Sequence, residues 1–293
     1  MTTCILVHTT GGKSFARKIG RKLNAHNFSY YLSSVNDYPD VHIRHPELNQ
    51  ENSFIHSRAA YPYISGARWL RSLCHSEAMG YLVVNDTDCL RLTSNKLRCS
   101  LLFNKKKVSH PKTYEVTDDT CGKIYNQLPI GHYVVKPLTS MSQGKHVQKF
   151  TKMANNNLLL NAGGIIAKVP GHKKVIQHFV PAIALHRVIV LNGTALSFSF
   201  VDKIQKNWKL SVCLNKDTME FNPHPDNALL KLAEKAQQVV DGKINFIDIF
   251  ETKIGYSISE INTACNLTIH ENLSKVSISD YIARTLIKIW RNR

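Results

Sequence analysis

The stretch Ile244-Asn-Phe-Ile-Asp-Ile-Phe-Glu-Thr-Lys-Ile-Gly-Tyr-Ser-Ile-Ser-Glu-Ile-Asn262 contains two short apolar strands around a polar turn. Asp248 lies in the first predicted strand, and Glu260 and Asn262 lie in the second. Because successive strand residues face opposite ways, Glu260 and Asn262 share one face, and Asp248 can join them if the strands pair as a hairpin. Oxygen ligands without Cys or His suit a hard cation such as Mg²⁺, which binds carboxylates together with substrate phosphates. The pattern therefore predicts a magnesium site in a protein that handles a nucleotide.

Length and composition indicate a globular protein. The chain has 293 residues, which favours one large or two to three small domains, and 43% of them are hydrophobic, enough for packed cores. The apolar run Cys4–Val7 is too short for a signal peptide or a membrane helix, so we expect a soluble, cytoplasmic protein without a membrane partner. The seven Cys are scattered and are expected to be free thiols.

The formal net charge of +17 favours acidic partners. A positive field of this size attracts polyanions and speeds their encounter, although a solvated basic surface is the simpler interpretation. No zinc finger, RNA-recognition or helix-turn-helix signature is present, so sequence-specific nucleic-acid binding is not expected.

The first 90 residues predict an α/β unit. A buried strand at Thr3–Val7 precedes a polar turn and a helix through Leu23. The turn contains Gly12-Lys13-Ser14, which resembles the end of a P-loop, but that pattern requires Gly where the chain has Val7. Residues 29–60 are mixed and polar, with loops expected around Pro39 and Pro46, and a helix is predicted over Ala67–Met79.

Further elements are predicted along the rest of the chain. Asn192-Gly193 between two apolar runs indicates a β-hairpin, Asp226–Asp241 is an amphipathic helix, and a last helix begins near Ser277. Strands are also expected at Tyr133–Pro137, Leu158–Leu160, Ile165–Ala167 and Val175–Val180.

Four of these features occur in the order that is typical of the ATP-grasp superfamily. They are Asn95-Lys96 opening a helix, Val134–Pro137 with a small-residue loop after it, Val175–Val180 followed by Leu185-His-Arg187, and Asp248 with Glu260 and Asn262 downstream. The chain resembles RimK-like carboxylate–amine ligases, the ribosomal-protein glutamate ligase type, over about residues 55 to 270. The most specific part is Asp-x11-Glu-x-Asn with Gly255 in the turn.

The resemblance implies a fold and its domains. The expected fold class is α/β (α+β), with an α/β domain at 1–90, a lid subdomain at 91–174 and a carboxyl-terminal subdomain with the metal site at 175–293. ATP would lie between the last two.

The resemblance also implies roles for individual residues. Asp248, Glu260 and Asn262 would hold Mg²⁺ or Mn²⁺, and Arg187 would bind the substrate carboxylate or acyl-phosphate as the catalytic residue. The expected nucleotide-binding residues are Lys96, Lys136, Ser140, Gly144, Gln177, His178, Phe179, Val180 and Lys209.

The chain departs from the family pattern at several of these positions. Ser140 and His146 stand where glycines are common in the phosphate loop, and His178 replaces an acidic hinge residue. Leu185 stands where the family has Asp, and the family's Arg-x-Asn triplet is at best Lys209-Leu-Ser211. These changes concern the phosphate loop and the acceptor side, whereas the metal trio is intact.

Three functions therefore stay open from the sequence. The first is an ATP-dependent ligase that joins an acidic peptide, protein or amino acid to an amine. The second is a non-catalytic ATP-binding module, favoured by the altered loop. The third is an ATP-grasp kinase of a polyphosphorylated small molecule, favoured by the basic charge. Assembly into a homo-oligomer is also left open.

Overall fold

A computed structural model describes residues 1–58, 68–139, 146–153, 159–203, 208 and 218–293, without the side chains of residues 39 and 159–162. These residues form three sheets with helices between them, a mixed α/β architecture as predicted. No helix in the described ranges is long and apolar enough to span a bilayer.

The amino-terminal sheet is parallel and has the strand order β2-β1-β3-β4. Its elements, with the helices up to residue 105, are β1 Thr3–His8, α1 Lys13–Ala25, β2 Ser29–Ser34, α2 Val41–Arg44, β3 Ser53–Arg58, α3 Arg68–Ala78, β4 Val83–Val84, α4 Thr87–Ser94 and α5 Lys96–Lys105. The predicted strand–turn–helix opening is confirmed, and Gly12-Lys13-Ser14 leads into α1. Strands β2 and β3 were missed because their sequences, Ser-Tyr-Tyr-Leu-Ser-Ser and Ser-Phe-Ile-His-Ser-Arg, are rich in polar residues.

The lid sheet is antiparallel and has the strand order β5-β8-β6-β7. Its elements are β5 Thr113–Thr117, α6 Cys121–Gln127, β6 Gly131–Pro137, β7 Gln148–Lys152, α7 Leu159–Ala167 and β8 Lys173–His178. The prediction of strands at Leu158–Leu160 and Ile165–Ala167 is wrong, because residues 159–167 form one helix and Leu158 lies outside the described residues. Short apolar runs do not distinguish a strand from a buried helix, and Ile166 packs in the lid core from α7.

The carboxyl-terminal sheet has five antiparallel strands in the order β11-β10-β9-β12-β13. Its elements are β9 Ala184–Leu191, β10 Thr194–Lys203, β11 Met219–Asn222, α8 Asn227–Val239, β12 Ile244–Thr252, β13 Gly255–Asn262, α9 Thr268–Ser274 and α10 Ile278–Arg291. Both predicted hairpins are confirmed. Asn192 and Gly193 have φ of +49° and +89°, the left-handed backbone that a tight hairpin turn requires.

This sheet is covered on both faces by hydrophobic cores. One face contributes Ile189 and Phe246 to a core shared with α1 and α10. The opposite face contributes Val188 and Ile247 to a core with α5 and α8. The packing therefore fixes the carboxyl-terminal sheet between the amino-terminal α/β unit and two helices.

The topology bears on the predicted boundary between residues 174 and 175. Strand β8 crosses that boundary and pairs with β5 and β6, so residues 175–178 belong to the lid sheet. Helix α5 packs through Phe103 against the carboxyl-terminal sheet, and it also contacts the lid strand β5. The division of the chain into three domains stays a prediction.

Candidate active site

One row of side chains crosses a face of the carboxyl-terminal sheet. Asp248 on β12 is paired with Arg187 on β9 and with Glu260 on β13, and Arg187 is paired in turn with Phe200 on β10. Directly paired residues of antiparallel strands point to the same face with Cβ atoms about 5 Å apart. We call Phe200, Arg187, Asp248 and Glu260 the polar row. Asn262 lies on the same face in the next row, opposite Phe246.

Asp248 is held by a two-pronged ion pair. Arg187 donates from Nε and Nη2 to the two carboxylate oxygens of Asp248, each at 2.8 Å, and Asn262 Nδ2 lies 3.3 Å from Asp248 Oδ2. Arg187 and Asp248 are only 3% and 7% exposed. Burial is the largest effect and raises the pKa of Asp248 above its usual value, while the Arg187 charge and its hydrogen bonds offset that rise only in part.

Glu260 joins the row to two lysines. Lys96 Nζ, at the start of α5, lies 3.5 Å from Glu260 Oε1. Lys136, near the end of β6, is half-buried, and its pKa is lowered to about 8 by burial and by the Lys96 charge, against an opposing effect of Glu260. Lys96 and Lys136 therefore lie close together, although they come from different elements.

The two lysines are positioned by hydrogen bonds between their elements. The Asn95 side chain caps α5 by accepting from the Arg98 amide at 3.0 Å, as a helix beginning at this residue predicts. The Lys96 amide then donates to the carbonyl of Leu138, just after β6, at 3.1 Å. The start of α5 is thus fixed against the end of the lysine-bearing strand.

The predicted hinge lies at the end of β8. The backbone amides of His178 and Phe179 donate to Lys112 O and His132 O, so the amides of these two predicted hinge residues are already used. The Gln177 side chain donates to Thr113 Oγ1 at 2.8 Å, whereas its buried Oε1 has no hydrogen-bond partner. Gln177 also lines a cavity together with Lys96 and Glu260, which connects the hinge strand to the polar row.

The residues on the polar row fit a hard divalent cation. The set consists of the two carboxylates of Asp248 and Glu260 on adjacent strands, together with the Asn262 amide in the next row. Within the described ranges, no group of three or more His, Cys, Asp or Glu comes together as a metal site. Both carboxylates face positive charge, Arg187 for Asp248 and Lys96 for Glu260. Carboxylate and amide oxygens are ligands suited to Mg²⁺.

Residues 93–286 match the model of the RimK-like ATP-grasp domain, which covers well over half of the chain. The chain belongs to the RimK-like ATP-grasp family. It is accordingly an ATP-grasp ligase, in an enzyme class that forms C–N bonds, as the sequence predicted.

Individual relatives are distant. The α-aminoadipate–LysW ligase LysX of Saccharolobus solfataricus is 26% identical over 189 residues, which is 64% of this chain and 67% of LysX. The D-cycloserine synthetase DcsG superposes with a TM-score of 0.73 at 12% identity, over 98% of this chain and 99% of DcsG. The ATP-grasp ligase PsnB, in complex with a minimal precursor, Mg and ADP, superposes with a TM-score of 0.63 at 14% identity, over 97% of both chains. At these identities the two structures show a shared fold.

The structure describes some of the site residues predicted from the ATP-grasp resemblance and not others. The structure brings several of the predicted site residues together beside the polar row of the carboxyl-terminal sheet, namely Lys96, Lys136, Gln177, Arg187 and the metal trio. Ser140, Gly144 and Lys209 lie outside the described residues. Leu185, in place of the family Asp, is buried in the core shared with α1, and His178 packs on the Tyr133 ring at 4.8 Å. The individual site assignments stay predictions.

Two buried polar residues near the polar row were not singled out from the sequence. Arg58 ends β3, and His270 lies on α9 with its ring 4.6 Å from that of Phe200. A charged residue at the carboxyl end of a parallel strand is a recognisable signal, because ligands of α/β sheets bind at these ends. That signal is not accessible from the sequence alone, because the polar residues of β3 do not predict a strand there.

Proposed function

We propose that this enzyme joins the carboxylate of an acidic substrate to an amine, at the expense of ATP and with Mg²⁺, through an acyl-phosphate. The observation that carries the proposal is the arrangement around Glu260, where a carboxylate pair on two strands adjoins two lysines from two other elements. Carboxylates for a metal and cations for phosphates are the groups that phosphoryl transfer requires, since catalysis there depends on positioning and charge neutralisation.

The nucleotide would span from the hinge to the polar row. Lys96 and Lys136 would bind ATP phosphates, and the unpartnered Gln177 Oε1 is a buried acceptor for the adenine amino group. Because the amides of His178 and Phe179 are engaged, the hinge would contact adenine through carbonyl oxygens, side chains and Val180. Asp248, Glu260 and Asn262 would hold Mg²⁺, which when bound neutralises phosphate charge.

The proposed reaction has two steps. A carboxylate oxygen of the acid attacks the γ-phosphorus of ATP, the bond to the β-phosphate oxygen breaks, and ADP leaves. The amine nitrogen then attacks the acyl carbon, phosphate departs with the electron pair of the C–O bond, and the nitrogen loses a proton. Arg187 lies beside Asp248 on the polar row, where a guanidinium is suited to the negative charge on the acyl-phosphate oxygens.

The acidic nature of the substrate is supported by charge. The chain carries a formal +17, which accelerates the encounter with anions. LysX, by its name, acts on α-aminoadipate and LysW, and PsnB has been solved with a precursor peptide. An amino acid or a peptide with acidic side chains is therefore the proposed acid.

The test is turnover of purified protein with ATP, Mg²⁺ and a panel of acids and amines. The proposal expects ADP and free phosphate only when both substrates are present, with a product lighter than their sum by one water. A phosphorylated product without free phosphate would instead identify a kinase. Nucleotide binding without ADP formation across a broad panel would identify a non-catalytic module.

A further inference from the structure

Arg58 is a buried cation at the contact between the amino-terminal and carboxyl-terminal sheets. It is 4% exposed, and Nη2 donates to the carbonyl oxygen of Cys265. Its guanidinium carbon lies 4.9 Å from the centre of the Phe15 ring and 5.7 Å from that of Phe246. The side chain is thus enclosed by α1, β12 and the loop after β13.

The guanidinium has more donors than partners. Nε and Nη1 are buried without a hydrogen bond, and no carboxylate of the described residues lies within ion-pair distance of Arg58. Burial lowers the pKa of Arg58 to about 10, which leaves it charged at neutral pH. A buried charge is expensive unless it is paired and hydrogen-bonded, so this environment is incomplete without an anion.

Arg58 lies next to the polar row. Phe246, which it contacts, is two residues before Asp248 on β12 and faces the same side of the sheet. Two residues along a strand span about 7 Å, so Phe246, which Arg58 contacts, is the neighbour of Asp248 on the same face of β12.

His270 provides a second, independent observation on this face. It is 2% exposed, packs on Phe200 of the polar row, and has no hydrogen-bond partner at either ring nitrogen. Buried polar atoms of native proteins are almost always paired, so Arg58 and His270 leave unused hydrogen-bonding capacity on the face of the sheet that carries the polar row.

We propose that Arg58 binds a carboxylate of the acidic substrate, separate from the carboxylate that is activated at the polar row. The proposal rests on the ligase function proposed above and adds to it a specificity residue outside the residues that match the family model. A guanidinium matches a planar carboxylate in geometry as well as charge, and hydrogen bonds to charged groups are stronger than neutral ones. The substrate would accordingly carry two carboxylates, as a glutamate-like amino acid or peptide does.

The experiment measures binding of L-glutamate and tri-L-glutamate to the full chain by calorimetry, in the presence of Mg²⁺ and a non-hydrolysable ATP analogue. L-Glutamine and tri-L-glutamine are the neutral controls. Arg58→Met removes the charge but keeps an apolar chain between Phe15 and Phe246, and Arg58→Lys keeps the charge without the fork. Arg44→Met is the matched control, since Arg44 is an exposed arginine of the same unit whose ion pair with Asp40 is long, at 3.6 Å.

At least one acidic probe is expected to bind the wild type more tightly than its neutral control. Arg58→Met should weaken that binding at least tenfold, and Arg58→Lys should weaken it less. Arg44→Met should leave it unchanged, and all variants should bind the ATP analogue like the wild type. The proposal is overturned if Arg58→Met binds the acidic probe as well as the wild type does, or if neither acidic probe binds the wild type better than its neutral control.

These outcomes are separate from those of the ligase proposal. If the wild type does not bind the ATP analogue, the ligase function is contradicted. The role of Arg58 is then still tested by the binding of the acidic probes. If Arg58→Met does not fold, Arg58→Lys decides, because wild-type affinity for the acidic probe in that variant would contradict a role for the guanidinium fork.

Discussion

Asp248→Asn and Glu260→Gln are expected to separate the structural role of the polar row from its metal-binding role. Asp248 is buried and receives two 2.8 Å hydrogen bonds from Arg187. The substitution leaves the Arg187 charge without its counter-charge. Removing one partner of a buried ion pair costs about 3–5 kcal/mol, and because Asn keeps one acceptor oxygen we expect a loss of about 3 kcal/mol in the free energy of unfolding.

Glu260 is expected to behave differently. Its side chain is 30% exposed, and its pair with Lys96 is longer, at 3.5 Å. A partly exposed pair of this length contributes on the order of 1 kcal/mol, so Glu260→Gln should cost clearly less than Asp248→Asn. Both substitutions remove a proposed metal ligand, so both should abolish ADP formation although they destabilise the fold to different extents.

Urea unfolding curves of the two variants, each measured with ADP formation, check this prediction. The double variant Arg187→Met/Asp248→Leu is the control, since replacing a whole buried pair by apolar side chains is often neutral and should recover most of the lost stability. The reasoning is refuted if Glu260→Gln destabilises the protein as much as Asp248→Asn does, or if Asp248→Asn keeps wild-type turnover.

Two further predictions concern the lysine and a buried amide. The pKa of Lys136 is lowered to about 8, so its ammonium loses its charge as the pH rises through 8, and the affinity for ATP should fall. Lys136→Arg stays charged, so its affinity for ATP, measured by calorimetry, should not change between about pH 7 and 9. Gln237 donates to Val190 O and Asn245 Oδ1 and accepts from the Gly193 amide. Gln237→Leu leaves these buried groups unpaired and should lower the free energy of unfolding by about 2–4 kcal/mol. The control Gln50→Leu, at an exposed glutamine, should change the free energy of unfolding by less than about 0.5 kcal/mol.

The carboxyl-terminal hairpin was predictable because its signals are local. Alternating apolar residues and the turn before Gly255 predict the hairpin and place Glu260 and Asn262 on one face. The structure adds a register shift between Asp248 and Ile249, and this shift, which the period of two does not contain, pairs Asp248 with Glu260. The start of α5 and the Asn192-Gly193 turn likewise follow from capping and turn chemistry that a few neighbouring residues determine.

The contacts that complete the candidate site are not local. Arg187 is 61 residues from Asp248 in the chain, and Arg58 is 207 residues from Cys265. Such pairs depend on how separate helices and strands pack, and the spacing of residues along the sequence does not predict that packing. The strands β2 and β3 were missed for a related reason, since Ser, His and Arg in β3 are buried by tertiary contacts that override their usual exposure.

The most direct measurement is the Mg²⁺ dependence of nucleotide binding. Calorimetry with a non-hydrolysable ATP analogue, with and without Mg²⁺, compares the wild type with Glu260→Gln. If Asp248 and Glu260 hold a metal beside phosphates bound by Lys96 and Lys136, Mg²⁺ should strengthen binding to the wild type, and most of that gain should disappear in Glu260→Gln. A variant that retains the full gain from Mg²⁺ would contradict the assignment of the polar row as the metal site.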